Sequence, residues 1–276
     1  MTAPAVTLLH LSDVHASVDG ALYGGIDGLA RLRAASAYAR SAGMNPDAIV
    51  ITGDLVERGH AGAYPAVQAA LDALEEEWSV PVLVTLGNHD NAASANAVSP
   101  VDLSVPRRID VAGMRVLLLN SSRAELGAGQ LAWLRAELAE PVGAGTVIAL
   151  HHPPFGSTLP ALARGGLRDA DPFLDTLAGS DVRAVLCGHF HHPMVATIGD
   201  VSVSVGPSLA YHQVMDAAPG TVAGHDRSMF SLVRFDAAAV THTSMTVEEP
   251  DRVFTSTLPT PVPDRERPTP HVHPNS

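Results

Sequence analysis

Five short apolar runs constrain what this chain can fold into: VTLLHLS at 6–12, AIVIT at 48–52, PVLVTL at 81–86, TVIAL at 146–150 and RAVLC at 183–187. Each has the length of a strand, is rich in β-branched residues and lacks apolar–polar alternation, the pattern of strands buried on both faces. Helical spacing fills the intervals between them. Ile26, Leu29 and Leu32 recur at that spacing in 26–40, Val67, Leu71 and Leu74 in 63–78, and Leu131, Leu134 and Leu138 in 130–139. Strands alternating with helices build βαβ units. The stretch 107–121 predicts a hairpin turning at Ala112–Gly113, and 197–206 predicts a second at Gly199–Asp200, so antiparallel strands join the parallel ones. The expected architecture is α/β, a two-sheet αββα sandwich with mixed sheets, forming one domain over 1–254. From Thr255 onward the chain is dense in Pro and Thr without periodicity, so 255–276 is expected to be a flexible tail in which His271 and His273 are solvated bystanders.

Each of the five runs ends in a polar cluster: SDVH, GD, GNHD, HHPP and CGHFHH in turn. In open α/β sheets the crevice beyond the carboxyl ends of the strands is where sites form. Side chains alternate along extended backbone, so Asp13 and His15 are expected to point one way while Val14 turns back. The same argument pairs His189 with His191, turns Phe190 to the core and sends His192 elsewhere. Of His151 and His152 only one ring can face the site; His151 is the expected one, with His152 behind it. Glycines at 53, 87 and 188 precede these positions, where backbone must come close.

The formal charge of -12 argues against nucleic-acid polymers and anionic membranes as partners. An anionic small substrate would then need a local positive centre, and the 14 histidines suggest how one is held. A single cysteine, Cys187, excludes an internal disulfide and suits a reducing compartment. Its place in a buried run makes it a small hydrophobe. MTAPAVTLLHLSD lacks a basic leader region, and no stretch approaches the roughly 20 apolar residues of a membrane span, so a cytoplasmic protein is expected.

Taken together, Asp13-x-His15, Gly53-Asp54, Gly87-Asn88-His89-Asp90, His151 and Gly188-His189-x-His191 form a five-block pattern that resembles the calcineurin-like metallophosphoesterases. The likeness is greatest to their bacterial class III cyclic nucleotide phosphodiesterase branch and its glycerophosphodiesterase relatives. GDLVERGHAGAY and GQLAWLRAEL are similar to further stretches of that branch, and the resemblance spans roughly 6–210. It implies a sandwich of the metallophosphoesterase type holding two divalent ions. Asp13, His15, Asp54 and His191 would ligate one, and Asp54, Asn88, His151 and His189 the other, with Asp54 bridging. Asn88, His89 and His191 would contact substrate. His89 would sit unligated beside the phosphate, oriented by Asp90, and this pair would be catalytic.

The chemistry of the donors agrees. Oxygen and imidazole ligands without thiolate suit Mn, Fe or Zn, with Mg possible. Two such ions carry four positive charges and the two aspartates cancel two. The remainder is balanced by a bridging hydroxide, the expected in-line nucleophile, and a phosphodiester. The implied activity is hydrolysis of 3′,5′-cyclic AMP or GMP to the 5′-nucleotide. The alternatives are a broad phosphodiesterase acting on glycerophosphodiesters or other small diesters, and a non-catalytic metal-dependent interaction module. Relatives of this branch often form homodimers. Outside the pattern, His10 lies within the first run and is expected to be structural, and His225 carries no assigned role. His60 and His212 are candidates for the substrate mouth, and Glu57 and Arg58 are read as loop residues.

Overall fold

The computed structural model describes residues 5–218, 220–248 and 253–256. The tail expected at 255–276 therefore lies outside the described residues from 257 on, and His271 and His273 with it. In chain order the elements are β1 (Val6–Leu11), α1 (Gly28–Ser41), β2 (Ala48–Thr52), α2 (Tyr64–Trp78), β3 (Val82–Thr85), α3 (Ala92–Asn96), β4 (Arg107–Val111), β5 (Met114–Leu118), α4 (Gly127–Glu137) and β6 (Thr146–Ala149). They continue as α5 (Ala170–Leu177), β7 (Val182–Cys187), β8 (Met194–Ile198), β9 (Val201–Val205), β10 (His212–Gln213), β11 (Gly224–His225), β12 (Met229–Phe235) and β13 (Val240–Thr246). All five apolar runs are strands: β1, β2, β3, β6 and β7.

One sheet has the order β13-β12-β1-β2-β3 and the other β4-β5-β6-β7-β9-β8. In the first, β1, β2 and β3 are parallel and β12 joins β1 antiparallel. In the second, β5, β6, β7 and β9 are parallel, with β4 and β8 as antiparallel edges. Both expected hairpins form. Ala112 and Gly113 have φ of 49° and 83°, as a two-residue turn matching strand twist demands. The β12–β13 hairpin, which sequence patterning did not single out, completes the first sheet.

Side-chain period explains why the runs are apolar throughout. Leu8, Ala48, Val50 and Leu83 face Val116, Leu118, Val147, Ala149 and Leu186 in the core between the sheets. Their neighbours Leu9, Leu11, Ile49 and Ile51 pack outward under α1 and α2. Ile148, Val185 and Cys187 pack under α4 and α5. That is the αββα sandwich expected, with Cys187 fully buried in an apolar layer. Among the described residues no helix is long and apolar enough to cross a membrane.

Candidate functional site

The loops that leave β1, β2, β3, β6 and β7 meet at one edge of the two sheets. Backbone hydrogen bonds lock neighbouring loops together within each sheet: Asp13 N donates to Gly53 O and His15 N to Asp54 O in the first, and Gly188 N to the carbonyl of His151 in the second. Chain paths this close leave no room for Cβ atoms. At Gly188 a Cβ would lie 1.9 Å from Ser12 Oγ, and at Gly87 it would lie 2.2 Å from Asp54 Oδ1.

The reason expected for the pairing of side chains is corrected here. Asp13, His15, Asp54, His189 and His191 have φ of 55°, 48°, 49°, 77° and 54°, so the backbone at these positions is left-handed, not extended. Each such residue costs on the order of 1 kcal/mol or more, and strain of this kind concentrates at functional sites. The outcome for the side chains is nevertheless as expected. Val14 and Phe190 turn into the two helix-covered cores, and His192 points away to Ser157 Oγ at 2.9 Å.

Three groups of potential ligand atoms result, each within 4.8 Å of one another: first Asp13, His15, Asp54 and His191, second Asp54, His151 and His189, and third His15, Glu57 and His89. Asp54 belongs to the first two. In the first group His191 Nε2 lies 3.2 Å from Asp13 Oδ1 and 3.2 Å from His15 Nε2. In the second, His151 Nε2 lies 3.2 Å from Asp54 Oδ2 and 3.1 Å from Asn88 Oδ1, which brings the expected Asn88 to the same place. The structure thus gathers every residue named as a ligand from sequence. His152 stands behind, its ring 4.3 Å from that of His189 and its Nδ1 3.3 Å from Ser121 Oγ.

The residues fit divalent cations. His15 Nδ1 faces Glu57 at 2.7 Å and His151 Nδ1 faces the Thr52 carbonyl at 2.7 Å. An N–H donated at Nδ1 leaves the Nε2 lone pair turned into the cluster, the tautomer a metal needs. Burial opposes charge here, but the site overcomes it. Burial pushes Asp54 up and His151 down, yet their mutual contact holds Asp54 well below the usual carboxylate range and raises His151 to about 9. Against the same burial, Glu57 and Asp54 raise His15, and His191 holds Asp13 low. His189 is depressed to about 3 by burial and by repulsion from His151. A buried cluster whose carboxylates draw positive charge toward His15 and His151, built of carboxylate, amide and imidazole, suits the hard-to-borderline ions expected.

His89 stays outside the two groups that share Asp54 and belongs to the third, with His15 and Glu57. Its backbone N–H donates to Asp54 Oδ1 at 2.8 Å, and its ring packs edge-on to His15 at 4.8 Å. The expected orientation by Asp90 is not made. Asp90 is directed inward, where its carboxylate accepts from the backbone N–H of Leu55, Val56 and Gly87 and from Tyr64 Oη. Those donors, presented by the loops after β2 and β3 and by α2, capture the short side chain. The longer Glu57 reaches the ring instead, with Oε1 3.0 Å from His89 Nδ1 and Oε2 on His15. Sequence reading left Glu57 as a loop residue; the available signal was a carboxylate three positions after Asp54. Tyr211, whose ring lies 4.1 Å from that of His191, carried no signal. Of the remaining candidates, His10 is buried with Nε2 on Thr52 Oγ1, and His60 accepts from Val18 N. His212 pairs with His225 across β10 and β11, and Arg58 reaches the Asn88 carbonyl.

The profile of the calcineurin-like phosphoesterases matches residues 6–193. A protein of Rhodococcus erythropolis named "Probable cyclic nucleotide phosphodiesterase" is 37% identical over 232 residues, 81% of this chain and 77% of that one. A cAMP/cGMP dual specificity phosphodiesterase of Mycobacterium tuberculosis is 35% identical over 237 residues, 81% of this chain and 73% of its own. A glycerophosphodiester phosphodiesterase of Enterobacter lignolyticus is 30% identical over 225 residues, 75% of this chain and 78% of its own. Among solved structures, a dimetal phosphatase from Danio rerio shares the fold at a TM-score of 0.61 with 15% identity, covering 90% of this chain and 98% of that one. The chain belongs to the calcineurin-like phosphoesterase family, a family of hydrolases.

Proposed function

We propose that the protein is a two-metal phosphodiesterase whose substrates are 3′,5′-cyclic nucleotides, hydrolysed to 5′-nucleotides. The observation that carries this reading is the pair of ligand groups meeting at Asp54, with the His89 ring beside them and outside both. Asp13, His15, Asp54 and His191 would hold one ion, and Asp54, Asn88, His151 and His189 the other, with Mn, Fe, Zn or Mg as candidates. Such ions supply Lewis acidity, lower the pKa of water and offset the charge of the phosphodiester.

The chain's own groups supply the rest. Glu57 accepts the N–H at His89 Nδ1, so when the ring carries a second proton it sits on Nε2, the atom that would pass it to the departing ribose oxygen, leaving the neutral ring. Asn88 and His191 border the same place and would contact the phosphate. The cyclic-nucleotide assignment draws on the Rhodococcus and Mycobacterium relatives, and the Enterobacter relative favours a second reading, glycerophosphodiesters. The deciding experiment is a panel on Mn²⁺-reconstituted protein: cyclic AMP, cyclic GMP, a glycerophosphodiester and a phosphomonoester. Turnover of the cyclic nucleotides, abolished by chelation, is expected. Turnover of linear diesters alone would select the second reading, and metal binding without turnover an interaction module.

A further inference from the structure

Beside the ligand cluster opens a cavity of about 530 Å³, within the range of roughly 300–1,000 Å³ usual for small-molecule sites. Its lining includes Tyr23, Tyr211, Gln213, Val222 and Gly224. Tyr211 is the shared wall. Its ring contacts that of His191 at 4.1 Å and lies 6.2 Å from that of His15. The segment is tied to the cluster through its backbone, because Ala210 N donates to Asp13 O and Gln213 N to His191 O. On the opposite side Gly224 lies flat against the ring, where a Cβ would come 2.6 Å from Tyr211 Cδ2. Arg31 of α1 braces both walls, bonding the Ala210 carbonyl and the Asp226 carboxylate.

The outer wall is Tyr23, 76% exposed, at the tip of a loop closed by the reciprocal hydrogen bonds of Leu22 and Ile26. Its φ is 50°, a left-handed conformation that costs energy in a bulky residue. Its ring stands edge-on to Tyr211 at 5.7 Å. Val222, 61% exposed, faces the same space. A strained loop that keeps an aromatic ring in water, beside a second ring touching a ligand histidine, is unfavourable for stability and has the form of a binding wall.

We infer that this cavity seats the nucleobase of a nucleotide whose phosphate lies at the ligand cluster, and that Tyr23 and Tyr211 are its specificity-determining walls. The inference rests on the cyclic-nucleotide reading above. A planar heterocycle can stack on one ring and meet the other edge-on, since the two rings stand at 65° to each other, whereas a glycerol or alkyl substituent offers no π-face. Tyr211 touches His191, so Tyr23 is the residue to test. Hydrolysis of bis(p-nitrophenyl) phosphate by the Mn²⁺-loaded protein is inhibited with adenosine 5′-monophosphate and with ribose 5-phosphate, and KM for cyclic AMP is measured in parallel.

In the wild type, the nucleotide is expected to inhibit more tightly than the sugar phosphate. Tyr23→Ala should reduce that preference and raise KM for cyclic AMP, each by about tenfold, the scale of losing one base–aromatic contact. Tyr23→Phe should retain both, since the ring and not the hydroxyl is the contact. Metal content of the variants checks that the cluster is intact. An unchanged preference in Tyr23→Ala, or a wild type that binds the two inhibitors equally, overturns the inference. If the wild type prefers the nucleotide but does not turn over cyclic AMP, the substrate reading fails while the base site stands.

Discussion

Replacing Glu57 by glutamine keeps the volume of the side chain and removes its charge. The two oxygens of Glu57 lie 2.7 Å from His15 Nδ1 and 3.0 Å from His89 Nδ1, so one carboxylate accepts from a proposed ligand ring and from the proposed acid. An amide can accept from only one of the two, and its NH₂ then faces the other ring's N–H. Whichever ring is released loses a charge-assisted bond. For a carboxylate behind a ligating histidine that costs about 10–100-fold in metal affinity or activity. Calorimetric titration with Mn²⁺ reads the His15 arm. The His89 arm is read as kcat at saturating Mn²⁺ for cyclic AMP against bis(p-nitrophenyl) phosphate, because a nitrophenolate needs little protonation and a ribose oxygen needs much. Glu57→Gln should lose at least tenfold on one arm, and Glu57→Ala should lose on both. Glu57→Asp, one methylene short, should not rescue both contacts. Wild-type metal affinity together with an unchanged ratio of the two rates in Glu57→Gln would refute the bridging role.

Asp54 belongs to two ligand groups and Asp13 to one, so Asp54→Ala should lose both equivalents of metal and Asp13→Ala mainly one; equal metal content in the two variants would count against sharing. His191→Ala should cut metal affinity severely whereas His192→Ala, which loses the contact to Ser157 and the stacking with Phe190, should keep most of it; comparable damage from both would place His192 in the cluster. His10 is fully buried, and burial followed by repulsion from His242 lowers it from 6.5 to about 3. The folded state then binds fewer protons at this ring than the unfolded state, so its contribution to stability is whole above pH 6.5 and is lost as pH falls from there toward 3. Between pH 7.5 and 5 this amounts to about 2 kcal/mol of unfolding free energy in urea titrations, and His10→Asn should lose about that much less than the wild type over the same interval; parallel pH profiles for the two proteins would show that His10 is not responsible.

The layers of the fold and the convergence of the five polar strand ends were legible from local sequence, while the division of those residues into two ligand sets was implied by the family resemblance. A strand covered on both faces must be apolar at both parities, and such runs stand out: Leu8 faces the other sheet while Leu9 faces a helix. The carboxyl ends of parallel strands lie on one edge, which is why five separated polar clusters could be read as one site. What local sequence could not supply is the distance between loops. Glu57 and its two rings are separated by 42 and 32 positions, and Tyr211 lies far along the chain from the loops of the first sheet. Whether His89 is held by the adjacent Asp90 or by Glu57 depends on which donors surround each carboxylate. The folded loop turns Asp90 onto Leu55, Val56, Gly87 and Tyr64, leaving Glu57 to the ring. The left-handed backbone at Asp13, His15, Asp54, His189 and His191 is likewise a tertiary result. Nothing intrinsic to Asp or His demands it, and it persists because hydrogen bonds between neighbouring loops hold each strand end in place.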